Sequence, residues 1–189
     1  MTKVTQLKRA VFLDRDGTIN VEKNYLWRCE DFEFLTGVPQ ALARLQGAGF
    51  LLVIVTNQSG IARGYYSLAD VDRLHNYMKQ QLAFFNVTLA AIYFCPHHPD
   101  GVDGGSYTME CSCRKGQPGM LLQAAEDLNI DLTQSYMIGD KLSDFEAGSR
   151  AGCTSILVTS GHHVEQPDIP DSCSTLFAEL SDAVEYILC

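Results

Sequence analysis

Arg9-Ala10-Val11-Phe12-Leu13-Asp14-Arg15-Asp16-Gly17-Thr18 sets a short apolar run directly against two carboxylates two residues apart. A run this short and this apolar reads as a strand buried on both faces, as in a parallel sheet covered by helices. The carboxylates then stand at its carboxyl end, where such sheets bind ligands. Alone, Asp-x-Asp-Gly-Thr also suits a turn or a fragment of a calcium loop. At about 5% per residue type, four fixed positions recur by chance in roughly one chain per thousand of this length.

The rest of the chain repeats the pattern. Phe50–Val55, Ala91–Phe94, Tyr136–Ile138 and Ser155–Val158 read as further buried strands. Helical segments lie between them: Val38–Ala48, stopped by Gly49, then Ser67–Phe85, Pro118–Leu128, Leu142–Ala151 and Ala178–Ile187. In Ser67–Phe85, Ser67 and Asp70 have capping-box spacing, and Leu68, Val71, Leu74, Met78, Leu82 and Phe85 step by three or four along one face. Alternating strands and helices predict an α/β fold with a doubly wound, Rossmann-like parallel sheet. The 189 residues are expected to form a single domain. There is no internal repeat, low-complexity tract or long linker.

Polar residues gather at the ends of these strands. Thr56-Asn57-Gln58-Ser59-Gly60 follows the second and Gly139-Asp140-Lys141 the fourth. Asp14 is placed to attack phosphorus while Asp16, if protonated, delivers a proton to the leaving oxygen. Two close carboxylates repel, so one of their pKa values is expected to rise. A divalent cation must offset the repulsion between carboxylate and phosphate, and hard oxygen ligands favour Mg²⁺. Asp140 completes that cation site, and Asp144 steadies it from the first turn of the following helix. Thr56 offers a hydroxyl to the phosphoryl oxygens and Lys115 a point charge. Each of these residues alone has an ordinary reading, as a strand end, a surface charge or a turn. Their order at successive strand ends is what carries the signal.

Composition bounds the partners. Net charge is −9, which argues against general nucleic-acid binding and requires a local cluster of cations or a metal wherever phosphate binds. No stretch approaches the roughly 20 apolar residues of a membrane span, and the apolar run after Met1–Arg9 is too short for a signal peptide, so a cytoplasmic protein is expected. Seven cysteines, an odd number, argue against a disulfide framework. Cys29, Cys153, Cys173 and Cys189 are scattered and read as incidental. Cys95-Pro96-His97-His98 and Cys111-Ser112-Cys113 are not scattered. They bracket a loop holding Asp100, Gly101, Asp103, Gly104 and Gly105, which has little to bury and needs a staple. Three thiolates and one imidazole suit a closed tetrahedral Zn²⁺ site. The loop leads straight into Arg114 and Lys115, so metal binding would fix both cations. With Arg63 and Lys141, these answer the charge problem.

Four segments together, Val11–Thr18, Val55-Thr56-Asn57, Arg114-Lys115 and Ile138–Asp144, resemble the motifs of the haloacid dehalogenase superfamily of phosphatases, over nearly the whole chain. With Thr56–Gly64, Cys95–Pro99 and Cys111–Lys115, the chain is similar within that superfamily to the heptose bisphosphate phosphatases. The resemblance implies a phosphoric monoester hydrolase acting on the 7-phosphate of D-glycero-D-manno-heptose 1,7-bisphosphate for lipopolysaccharide precursors. It implies Asp14 as nucleophile, Asp16 as general acid/base, and Asp14, Asp140 and the Asp16 carbonyl as Mg²⁺ ligands. It further implies Thr56 and Lys115 as phosphoryl stabilisers, Arg114 as a substrate contact, and His97 rather than His98 as the zinc imidazole beside Cys95, Cys111 and Cys113. One departure stands out: Gly116-Gln117 precede Pro118-Gly119-Met120 where the family has Pro and a polar residue, and Gly116 is expected to loosen that turn.

No large cap domain fits between these elements, so specificity falls to loops. The expected contacts are Glu22 and Tyr25 in Asn20–Tyr25, Asn57, Gln58, Ser59 and Arg63 in Asn57–Gly64, and Arg114 and Lys141. A second substrate phosphate gives Arg63, Arg114 or Lys141 a partner. The rival substrate, histidinol phosphate, would use acidic contacts such as Glu22 or Glu30. A non-catalytic zinc-stabilised binding module would have no need of Asp14, Asp16, Thr56, Lys115 and Asp140 together. The chain is expected to act as a monomer on a small phosphorylated sugar.

Overall fold

The computed structural model describes residues 7–102, 104–160 and 175–189. Asp103, Cys173 and the polar start before Leu7 lie outside the described residues. The apolar runs form one six-stranded sheet in the order β3-β2-β1-β4-β5-β6, with every neighbouring pair parallel. Its strands are β1 (Ala10–Leu13), β2 (Leu51–Asn57), β3 (Ala91–Cys95), β4 (Tyr136–Gly139), β5 (Thr154–Val158) and β6 (Leu176–Phe177). The last of these was not expected. It has two residues, too few to show a period, and is held by pairing Leu157 with Leu176 and Val158 with Phe177.

The helices are α1 (Val38–Gly47), α2 (Leu68–Ala83), α3 (Gly119–Leu128), α4 (Leu142–Ala151) and α5 (Leu180–Leu188). Side-chain alternation along the strands sorts them into two layers. Val11 and Leu13 of β1 join Leu42, Leu45, Met78, Leu82, Leu180 and Val184 from α1, α2 and α5. Ala10 and Phe12 join Met120, Leu121, Ala124 and Ala147 from α3 and α4. The sheet is therefore doubly wound. α2 starts with the capping box read from Ser67 and Asp70, both reciprocal bonds being present. Its inner face is Val71, Leu74, Met78 and Leu82, whereas Leu68 and Phe85 at its ends remain exposed.

Two consequences bear on the site. β1 is central, paired with β2 on one side and β4 on the other, so their carboxyl ends lie side by side. Between β1 and β2 the chain makes only a 3-10 turn at Cys29–Asp31 and α1. Among the described residues, no helix is long and apolar enough to cross a membrane.

Candidate active site

Asp14 is the first residue beyond β1, and its N–H donates to the Ile138 carbonyl of β4 at 2.9 Å. Only 3% of it is exposed. Lys115 Nζ lies 2.5 Å from Asp14 Oδ1 and 2.6 Å from Asp144 Oδ1. Asp144 sits in the first turn of α4, where its Oδ2 accepts from the Lys141 N–H at 3.0 Å. One carboxylate oxygen each from Asp14, Asp140 and Asp144 falls within 4.8 Å of the others. Burial, with Asp14 close by, pushes the Asp140 carboxyl up to about 8. Burial pushes Asp144 up to about 6, against the pull of Lys115. Burial works against the charge of Lys115, but Asp14 and Asp144 override it and raise its pKa. Three hard oxygens crowded in a buried space, two of them resisting ionisation, form a donor set suited to a small divalent cation.

Asp16, expected to reach the cation through its carbonyl, keeps its carboxylate out of that cluster, whose third carboxylate is Asp144. Arg15 turns back onto its neighbour, Nε 3.1 Å from Asp16 Oδ1 and Nη2 2.8 Å from Oδ2. Asn20 Nδ2 donates to Oδ1 and Gln58 Nε2 to Oδ2, each at 3.0 Å. Burial would raise its pKa, but Arg15, Asn20 and Gln58 all favour the carboxylate and hold it below the usual range. The raised acids are thus Asp140 and Asp144, whereas Asp16 is bonded by three donors, Arg15, Asn20 and Gln58.

These residues open on a pocket of about 260 Å³ lined by Asp14, Asp16, Glu22, Asn24, Tyr25, Thr56, Asn57, Gln58, Ser59, Tyr66, Lys115, Lys141 and Ser143. Thr56 is buried near the end of β2, its Oγ1 accepting from Gln58 Nε2 at 2.9 Å. Asn57 Oδ1 accepts the Lys115 N–H at 2.9 Å, tying the β2 end to the lysine loop. Lys141 Nζ pairs with Glu22 Oε2 at 3.2 Å at one side of the pocket. Asn24 and Tyr25 both take left-handed backbone (φ 49° and 65°), unusual for residues with a Cβ. Tyr25 packs edge-on to Tyr65 with ring centres 4.8 Å apart.

Two expected substrate contacts stand outside this pocket. Arg63 Nη2 rests on the His98 ring at 3.2–3.3 Å and lies 3.9 Å from Asp100 Oδ2. Arg114 donates to the His97 carbonyl at 3.3 Å and lines a neighbouring groove of about 490 Å³ with Lys115, Glu146 and Arg150. Nor is the Gly116 turn loosened. Gly116 takes φ +96°, which proline cannot, and its N–H donates to the Ser143 carbonyl at 2.9 Å. Its own carbonyl accepts from Arg150 Nη1.

The loop cysteines also converge. Cys95, His97, Cys111 and Cys113 place one ligand atom each within 4.8 Å of the rest. The three sulfurs are 3.3–3.4 Å apart, and His97 Nδ1 lies 3.4 Å from Cys113 Sγ and 3.7 Å from Cys95 Sγ. Spacings near 3.7 Å are the edges of a tetrahedron with metal–sulfur bonds of about 2.3 Å. His98 instead accepts the Asp100 N–H at its Nδ1, 3.0 Å away. The Cys95 carbonyl accepts the Gln58 N–H at 2.8 Å, so this cluster abuts the active-site strand.

Comparison with known proteins agrees with this geometry. The family model described as HAD-hydrolase-like matches residues 112–180. The chain is 51% identical over 156 residues, 82% of its length and 85% of the relative's, to a D-glycero-beta-D-manno-heptose-1,7-bisphosphate 7-phosphatase of Haemophilus ducreyi. It is 44% identical over 179 residues, 94% of its length and 93% of the relative's, to that of Escherichia coli K12. A crystal structure of D,D-heptose 1,7-bisphosphate phosphatase from B. bronchiseptica, complexed with magnesium and phosphate, superposes with TM-score 0.83 and 34% identity over 95% of this chain and 98% of that one. The chain belongs to the D-glycero-beta-D-manno-heptose-1,7-bisphosphate 7-phosphatase family, on the haloacid dehalogenase-like α/β fold.

Proposed function

We propose that the chain removes the 7-phosphate of D-glycero-D-manno-heptose 1,7-bisphosphate through a phospho-aspartyl intermediate on Asp14, supplying lipopolysaccharide heptose precursors. The observation that carries this is the placement of Asp14: buried at the central strand end, touched by Lys115, and opening on a polar pocket beside Thr56 and Asp16. A carboxylate oxygen of Asp14 attacks phosphorus while Thr56 Oγ1 and Lys115 Nζ hold non-bridging oxygens. Asp16, once protonated, gives its proton to the departing sugar oxygen, then takes one from the water that cleaves the acyl phosphate. Asp14, Asp140 and the Asp16 carbonyl, with Asp144 beside them, would hold Mg²⁺, as the magnesium in the B. bronchiseptica complex supports. Its charge lets a carboxylate approach a phosphate dianion.

Cys95, His97, Cys111 and Cys113 would hold Zn²⁺ as a staple for the loop that presents Arg114 and Lys115. Glu22, Tyr25, Ser59 and Lys141 frame the sugar, and a second phosphate would find Lys141 in the pocket and Arg114 in the adjoining groove. Glu22 is paired with Lys141 and Glu30 is exposed outside the pocket, which disfavours the amine of histidinol phosphate. The chain is read as one open, capless domain, acting as a monomer in the cytoplasm with no nucleic-acid or membrane partner. Phosphate release with Mg²⁺ from heptose bisphosphate, fructose 1,6-bisphosphate and histidinol phosphate tests the assignment. Heptose bisphosphate is expected to turn over fastest, and faster release from histidinol phosphate overturns it.

A further inference from the structure

Among the described residues Arg15 is the largest side chain with no exposure at all, yet it lies between two residues of the active-site motif. Its guanidinium is planar and carries only donors. One edge, Nε and Nη2, grips Asp16; Nη2 also donates to the Leu26 carbonyl at 3.1 Å. The remaining corner, Nη1, lies 3.1 Å from Nε2 of His75. Arginine cannot accept, so His75 Nε2 must present a lone pair, and the ring proton belongs on Nδ1. Burial and the charge of Arg15 push the His75 pKa down to about 3, which keeps the ring in that neutral form.

His75 is itself well fixed. It is 5% exposed, stands on α2 beside the buried Leu74, and packs edge-on to Phe94 of β3 with ring centres 5.7 Å apart. A rigid fork held at its far corner can turn only one edge to the carboxylate. Asp16 thereby receives a fixed plane and direction from Arg15. On the pocket side a second arm does the same: Tyr66 Oη donates to Gln58 Oε1 at 2.8 Å, which orients the Gln58 amide so that its NH₂ faces both Asp16 and Thr56.

We infer that His75, through Arg15, is a positioning residue that aims the carboxyl of Asp16 for proton transfer to and from the leaving oxygen. The inference rests on the assignment of Asp16 as general acid/base and adds a residue from α2, remote in sequence from every motif. It makes a distinction that a merely structural histidine would not. Loss of aim should slow reactions that need a proton from Asp16 and spare those whose leaving group departs without one.

The test compares His75→Gln, whose side-chain oxygen reaches the position of Nε2, with His75→Asn, which is one methylene shorter, and His75→Leu. Each is followed by rapid-quench single turnover with Mg²⁺ on heptose bisphosphate and on p-nitrophenyl phosphate, whose leaving group needs no protonation. His75→Leu and His75→Asn are expected to slow transfer from the sugar about tenfold while changing transfer from the nitrophenyl ester less than about twofold, with His75→Gln close to the parent on both. Equal losses on both substrates, or Gln and Asn variants that behave alike, overturn the inference, and the Asn–Gln pair decides the matter even if the leucine variant fails to fold. Asp16→Asn serves as reference. If it too lacks the leaving-group dependence, the acid role of Asp16 fails and the inference falls with it. If Asp16→Asn shows the dependence and the His75 variants do not, only the positioning role fails.

Discussion

Asp144 occupies the space that a side chain on Gly139 would need: a Cβ at Gly139 would come within 2.3 Å of Asp144 Cβ, Cγ and Oδ2. The missing side chain is what lets α4 bring its first-turn carboxylate against the end of β4. Gly139→Ala is therefore expected to expel Asp144 from its bonds to Lys115 and the Lys141 N–H. Urea unfolding should show a loss of about 1–3 kcal/mol, the range for overpacking. Phosphate release should fall about a hundredfold, since small misplacements at a reacting centre cost that much.

Lys115 bridges two buried carboxylates and is itself nearly inaccessible. Replacing it with methionine keeps the stem and removes the charge. Breaking a buried ion pair from one side costs about 3–5 kcal/mol, and loss of the phosphoryl contact about 10²–10³ in kcat. Denaturant titration and phosphate release check the two effects separately. Lys115→Arg should not restore activity, because a planar fork cannot stand between Asp14 and Asp144 as a point charge does.

The cation site should compete with protons. Asp140 and Asp144 have raised pKa values, about 8 and about 6, so at lower pH the free protein carries protons where the metal must bind. Binding Mg²⁺ releases them. The sign follows: apparent Mg²⁺ affinity falls as pH drops from 8 toward 6. Isothermal titration in buffers of different ionisation enthalpy should show proton release on binding. A pH-independent affinity with no proton release counts against these carboxylates as ligands.

For the cysteine cluster, Cys113→Ser is expected to lower bound zinc from one ion per chain to a small fraction, by elemental analysis. Proteolytic nicking should rise within residues 96–112, while far-UV circular dichroism stays close to the parent. Activity should fall along with the zinc, because Lys115 and the Gln58 N–H both hang on this corner of the fold. A parent protein purified gently without zinc, yet fully active, contradicts the staple.

His75 provides a stability test distinct from its kinetic one. Its pKa is about 3 when folded and near 6.5 when free, so below pH 6.5 the unfolded chain gains a proton that the folded chain refuses. Stability is then lost as pH falls from 6.5 toward 3, by about 1.4 kcal/mol per pH unit from this group. His75→Gln, which does not titrate, should show a correspondingly shallower decline in denaturant midpoints between pH 6 and 4.

Much of this arrangement could be read from the chain because its signals are local. Ala10–Leu13 is apolar and ends on Asp14, and Tyr136–Gly139 ends on Asp140, so both carboxylates could be placed by strand ends alone. The orientation of Asp16 could not. Its partner is the adjacent Arg15, and neighbouring side chains at a strand end are expected to diverge rather than pair. His75 shares an apolar helix face with Val71, Leu74 and Met78, where a histidine ordinarily reads as core. In the sequence Arg63 and Arg114 read as cations near the phosphate, but long side chains take the nearest acceptor, here the His98 ring and the His97 carbonyl. The φ of +96° at Gly116 explains a glycine that, standing where the family has proline, reads from the sequence as a loosened turn.

Asp14 is carried by a strand whose alternate side chains belong to different helical layers, Val11 and Leu13 to one and Ala10 and Phe12 to the other. Any slackening in either half of the molecule is thus transmitted to the same carboxylate. A random-mutagenesis screen for inactive clones should return changes scattered through both hemispheres, many of them in chains that still accumulate to normal levels.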